Sequence, residues 1–411
     1  MKRRLAIITP IIALSLTCHA QRNETYNQRI ATLQVVAGTD WLSIPITTLG
    51  GKSINIDFDD LTHDYHRYTY KIEHCDADWK VSQGLFTTDY IQGFDEEQTI
   101  DDIEYSVNTN HLYTHYHLTI PNENCRITMS GNYKLTVYDD NADTEDKRMF
   151  TACFMVEEPL INIAIESTST TDIDTQQGHQ QVRMTLTHHD LRITRPNQLN
   201  TVVLQNGRWD NCVVNARPDY TSDTQKEWKH VSPLIFKAGN EYRKFEFLDN
   251  DHPTLGIDDI RWDGKDYHVF LQPDTPRPNY THDEVAQGAF YIRNSDNEDN
   301  NTTSDYGLIH FTLQTPRQQG DVYVNGNWTN DRFLPQYKME YSESDHSYHL
   351  TLLMKQGYYS YQYLVLKTDG TTLPVSTEGN FYQTHNTYQA LIYYRGTNDR
   401  TDRLVGYATT E

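Results

Sequence analysis

Ser130–Tyr138 reads SGNYKLTVY, and the spacing of its apolar residues decides the fold class. Tyr133, Leu135 and Val137 fall on every second position behind a Ser-Gly-Asn turn. Successive side chains of a strand point to opposite faces, so this segment presents one apolar and one wet face. The same period continues outward in both directions. Upstream it runs through Tyr116, Leu118 and Ile120, through Tyr68, Tyr70 and Ile72, through Ile54, Ile56 and Phe58, and through Leu42, Ile44 and Ile46. Downstream it runs through Val182, Met184 and Leu186, then Tyr267, Val269 and Leu271. Ile309, Phe311 and Leu313 follow, and then Tyr348, Leu350 and Leu352. Turn residues separate the runs at Gly50-Gly51, Asn206-Gly207, Asp263-Gly264, Asn325-Gly326 and Asp369-Gly370. No amphipathic segment of helical period interrupts them.

Short alternating strands at this spacing predict an all-β chain of three tandem immunoglobulin-like β-sandwich domains. Glu157-Glu158-Pro159 reads as a hinge, and the polar, acidic stretch 294–305 (NSDNEDNNTTSD) reads as a linker. The expected units are therefore 25–157, 158–295 and 303–397, with 139–147 a charged hairpin tip inside the first. An outer-membrane barrel also alternates, but it needs strands of about 9–11 residues with aromatic girdles. The runs here are shorter, so the sandwich reading is preferred.

Residues 1–20 read as a secretory leader: basic Lys2, Arg3 and Arg4, an apolar stretch from Leu5 to Leu16, then small residues ending at Ala20. Acylation of Cys18 is the alternative, with the bulky Thr17 before it weakening a lipobox. The chain has 35 Lys and Arg against 57 Asp and Glu, a formal charge of −22. Loss of the three basic residues of the leader takes it to −25. That balance excludes a nucleic-acid binder, which needs clustered cations for phosphates. No apolar run of about 18 residues remains to span a membrane as a helix. Cys75, Cys125, Cys153 and Cys212 follow the leader, and export permits disulfides. Cys75, Cys125 and Cys153 fall in one expected unit and are the candidate disulfide partners.

Catalytic motifs are lacking: there is no G-x-S-x-G, H-E-x-x-H or Walker loop. His111, His115 and His117 would share a strand face and could offer zinc two or three ligands. The preferred reading is solvent-facing histidines on a tyrosine-rich strand. Asp139, Asn141 and Asp143 imitate the start of a calcium loop, yet Thr144 and Phe150 stand where glycine and the bidentate acid belong. Asp57 and Asp59 are an alternating carboxylate pair, as chance supplies in an acidic chain. No cofactor or metal is expected. Aromatics are the larger excess: Tyr358, Tyr359, Tyr361 and Tyr363 lie on one strand, and Trp328 sits in a Gly-containing loop before it. Trp328 and Tyr358 are the candidate partner-contact aromatics, since exposed aromatics anchor interfaces or stack on sugars.

Several strings together resemble one family. They are FDDL (58–61), HCDADW (74–79), YIQGF (90–94), YSVNTNHLYTHY (105–116) and SGNYKLTVY (130–138). QNGRWDN (205–211), GNEYR (239–243), MKQGYYSYQY (354–363) and EGNFYQTHNTYQALIYY (378–394) follow in order. The chain resembles the plug proteins of the type IX secretion system of Bacteroidota. One departure is DEVAQG (283–288), where an Asp-x-Asn-Gly turn is expected. The resemblance implies a non-catalytic periplasmic subunit, held at the inner side of the outer membrane. It would bind the large outer-membrane translocon barrel and close its periplasmic opening. Sixteen residues follow Arg395, fewer than the added sorting domain of secreted cargo. VYVNGNWTN (322–330) is similar to immunoglobulin-like early-set domains, some of which bind starch or glycogen. That likeness implies the alternative of a secreted or surface glycan-binding protein, with Trp328 as a sugar platform. An uncharacterised hydrolase is the least favoured alternative.

Overall fold

The alternating segments become strands, and their apolar faces meet in pairs of sheets. The computed structural model describes residues 23–94, 96–142, 145–189 and 191–410. The expected leader at 1–20 and Asp143 of the calcium-like turn lie outside the described residues.

In the first sandwich, Gly131–Asp139 is central to one sheet, between Tyr68–Cys75 and Arg148–Glu157. Tyr133, Leu135 and Val137 stand opposite His74, Ile72 and Tyr70 on one side and Phe154, Ala152 and Phe150 on the other. The facing sheet holds Ile30–Ala37, Ile54–Asp60, Thr114–Ile120 and Asp102–Tyr105 in that order. Ile56, Phe58, Tyr116 and Leu135 fill the space between, and Phe58 stacks on Tyr116 at 5.1 Å. Arg148–Glu157 departs from alternation and is buried at eight of its ten positions. A strand covered on both faces reads as a continuous apolar run, and here the second cover is the middle sandwich.

The middle sandwich is not a continuous piece of chain. One sheet holds Asn162–Thr168, His179–Thr187 and Gln225–Trp228. The other runs Arg208–Val214, Leu199–Gln205, Tyr388–Tyr394 and Arg403–Thr409. Its core joins Val182, Leu186 and Trp228 to Tyr388, Ala390 and Ile392. The chain therefore leaves this sandwich after Ile235–Lys237 and returns to it at Tyr388.

Between these points lies the third sandwich. Gly357–Leu366 pairs with Arg243–Phe247, Phe290–Ile292 and Asp321–Asn325. Facing it are Ile257–Trp262, Tyr267–Leu271, Tyr306–Gln314, Ser347–Lys355 and Glu340–Ser342. Phe245, Phe311, Tyr361 and Val375 belong to its core.

Two expectations are thus corrected. The third unit is inserted in the second, so boundaries at 295 and 303 cut through one core, and Tyr388–Tyr394 belongs with the middle sandwich. The stretch 294–305 is not a free linker: Asn300–Thr303 is a helical turn, and Asn294 Nδ2 donates to Thr303 Oγ1 at 2.7 Å. Its polar side chains satisfy one another, a role that composition alone does not distinguish from solvation.

Candidate functional site: the joints between sandwiches

The HCDADW string ends the strand Tyr68–Cys75 and turns at Trp79, whose φ is +62°. The turn drives Trp79 into the seam between the first and middle sandwiches, where it is 1% exposed. Trp209 of the QNGRWDN string meets it edge to face at 5.7 Å, a favoured aromatic geometry. Cys153, Met155, Leu204, Leu391 and Leu404 complete this apolar seam. Its rim is polar. The Tyr393 hydroxyl donates to Asn132 Oδ1 at 2.9 Å, and Arg395 pairs with Asp76 at 2.7 Å and Asp402 at 3.0 Å.

A second joint ties the first sandwich to the inserted one, and here the joint is ionic. Asp59 of FDDL and Lys355 of MKQGYYSYQY are each 1% exposed and stand 2.6 Å apart. Lys355 also donates to the Asn301 carbonyl at 2.7 Å and lies 4.0 Å from the centre of the Tyr113 ring. The Tyr306 hydroxyl donates to Asp59 Oδ2 at 2.6 Å. His115 Nδ1 donates to Asp59 Oδ1 at 2.8 Å, and its Nε2 faces Asp57 at 3.4 Å. His117 Nδ1 donates to Asp57 at 2.7 Å. A buried ion pair is tolerated only when its remaining lone pairs and protons are bonded, as they are here.

The electrostatics follow from that packing. Burial works to raise the Asp57 carboxyl, but hydrogen bonds from His115 and His117 outweigh it and bring it to about 2. Burial also opposes Asp59, and the Lys355 ammonium and His115 still hold it below the usual carboxylate range. Burial disfavours a charge on His115, while Asp57 and Asp59 raise it to about 9. Both oxygens of Asp59 are engaged and nearly closed to solvent, so this pair fastens two units together and offers no substrate a carboxylate.

His115 is buried rather than solvent-facing, which corrects that expectation. His111 pairs with Asp266 of the inserted sandwich at 2.9 Å. Tyr358 is half-buried, and its ring meets Trp41 of the first sandwich at 6.1 Å. The Trp328 ring is flanked by Phe311, Tyr337 and Tyr359, with Nε1 3.4 Å from the Ser360 carbonyl, so it packs against the inserted core. The expected disulfide among Cys75, Cys125 and Cys153 is not formed. Cys75 and Cys153 lie on strands separated by Gly131–Asp139. Two strand spacings amount to roughly 9–10 Å, beyond the ~7 Å that a disulfide spans. Burial pushes the Cys75 thiol up to about 12, which leaves it unreactive.

Sequence reading missed Trp79, Trp209 and Lys355 as functional residues, although each lies within a string that carries the family resemblance. It also passed over Phe86 and Phe94, 74% and 63% exposed on the first sandwich around the turn Thr87–Tyr90 and strand Ile91–Gly93. At the meeting point of all three units is an open cleft of about 450 Å³, lined among others by Trp41, Trp209, Phe290 and Tyr407.

The strings that carry the resemblance thus serve assembly: this is an all-β protein of three sandwiches whose joints they build. Residues 30–158 match the family described as type 9 secretion system plug protein, 1st domain. The crystal structure of a hypothetical protein from Parabacteroides merdae ATCC 43184 superposes with a TM-score of 0.90 at 39% identity, covering 95% of this chain and 98% of that one. No curated protein shows significant similarity. Residues 30–158 thus place the first sandwich in the type IX secretion plug family.

Proposed function

We propose that the chain is a non-catalytic periplasmic plug subunit that docks on the outer-membrane translocon barrel of the type IX system and closes its periplasmic opening. The observation that carries this reading is the match of the first sandwich to the plug domain. Physical features support it. A stopper must hold its shape against the pore, and the Trp79–Trp209 seam and the Asp59–Lys355 pair fasten the first sandwich to both of the others. A charge of −22 steers it toward a basic rim, an attraction that salt weakens. Phe86 and Phe94 are the aromatic anchors of the contact, since large apolar side chains left exposed at one edge mark interaction surfaces.

The test is co-purification from native envelopes. The wild-type chain should recover the translocon barrel, and Phe86→Asp with Phe94→Asp should lose it while keeping the fold. Recovery of no envelope barrel by the wild type at physiological salt would overturn the proposal.

A further inference from the structure

The chain enters the inserted sandwich through GNEYR and leaves it through a segment ending at Tyr388, and the two connectors run side by side. Phe381 N donates to the Gly239 carbonyl at 2.8 Å, and Thr384 Oγ1 donates to the same carbonyl at 3.0 Å. Glu241 stands on the entering connector and His385 on the leaving one. His282 comes from the loop between the strands Tyr267–Leu271 and Phe290–Ile292. One potential ligand atom from each of these three side chains lies within 4.8 Å of the others. We propose that Glu241, His282 and His385 bind a first-row transition-metal cation of the zinc type, which fastens the root of the inserted sandwich.

The Glu241 carboxylate is only half satisfied by the protein. It is 1% exposed, and its Oε2 is buried with no hydrogen-bond partner. Its Oε1 accepts from the Tyr280 hydroxyl at 2.8 Å, from the His385 amide at 3.1 Å and from His385 Nδ1 at 2.9 Å. Leaving a carboxylate oxygen buried and unpaired is costly. The nearby arginines do not relieve it. Arg243 is committed to Asp274 and Glu378, and Arg277 bonds Glu378 and only the backbone carbonyl of Glu241. Among the described residues, no lysine or arginine pairs with this carboxylate. A divalent cation would supply the missing charge.

The donor set selects the ion. Two imidazoles and one carboxylate suit zinc and its neighbours, whereas calcium and magnesium prefer oxygen throughout. The His282 and His385 rings are 4.8 Å apart at 59° and both exposed, so they can turn onto an ion above the buried carboxylate. Their exposed side leaves room for water as a further ligand.

The experiment uses the untagged chain stripped with EDTA. Cobalt(II) should bind at one equivalent with visible d–d absorption, and zinc should displace it. His282→Ala and His385→Ala should each weaken zinc binding by at least about tenfold, and the double variant should lose the cobalt spectrum. Both side chains are exposed, so the variants should keep the wild-type circular dichroism. Zinc should also slow hydrogen exchange at 238–242 and 381–387 in the wild type only. Glu241→Gln keeps an acceptor for Tyr280, and if it fails to fold the histidine variants still decide. Absence of one-equivalent binding in the wild type, or the same binding in the double variant, would overturn the proposal.

Discussion

Lys355 and Asp59 are separated by most of the chain and by almost nothing in space. Removing one partner of a buried pair leaves the other charged and desolvated. Lys355→Met should therefore destabilise the protein by about 3–5 kcal/mol in urea unfolding. Adding Asp59→Asn should recover much of that loss, because both charges then leave the interior. A merely additive double variant would show that the pair is not coupled. His115 gives the joint a pH dependence with a definite sign. Its folded pKa of about 9 lies above the ordinary value of 6.5, so its contribution is complete below 6.5 and is lost as pH rises toward 9. Asp57, lowered to about 2, contributes fully above 3.8 and loses that contribution only as pH falls through 2. Thermal stability should fall between pH 6.5 and 9 by an amount on the order of 3 kcal/mol, and His115→Asn should flatten that limb. Asp57, Asp59, His115 and His117 were each visible in the sequence as chemistry-bearing residues. What made them a joint was not visible, because Lys355 has no local signal linking it to a strand nearly three hundred positions earlier.

Strands were the most legible elements, since a period of two follows directly from pleated geometry and a half-buried face. Arg148–Glu157 and Tyr388–Tyr394 were harder. Both are buried almost throughout, so alternation is erased where a second sandwich covers the outer face. The nesting of one sandwich inside another is hidden for a related reason. Strand pairing depends on space, and Tyr388–Tyr394 reads equally well as the last strand of the unit it follows. This yields a direct check with excised fragments. Residues 240–378 contain the inserted core and should give cooperative unfolding, whereas 303–397 should not fold. The reverse result would restore the tandem arrangement. Gly93 offers a finer test within the YIQGF string. Its φ is +114°, and a Cβ there would lie 2.0 Å from the Asn124 carbonyl oxygen. Gly93→Ala should cost about 1–3 kcal/mol and loosen the pairing of Ile91–Gly93 with Cys125–Ile127, read by hydrogen exchange.

As a whole molecule, the chain spends its most distinctive sequence on holding three sandwiches in one arrangement. HCDADW, QNGRWDN, FDDL and MKQGYYSYQY supply the joints, and Phe86 and Phe94 remain outside them. That division suits the proposed role of a body that occupies an opening. Its acidity adds a kinetic prediction. Association with a basic rim should slow several-fold between low and physiological salt, while dissociation changes little. An association rate that ignores salt would separate charge from docking. A chain that closes the pore must limit outer-membrane leakage, which can be measured in cells lacking it. Entry of a large, normally excluded dye should rise on deletion and return to baseline when the wild-type chain is restored. Unchanged dye entry on deletion, with the translocon still present in the envelope, would rule out closure of the pore by this chain.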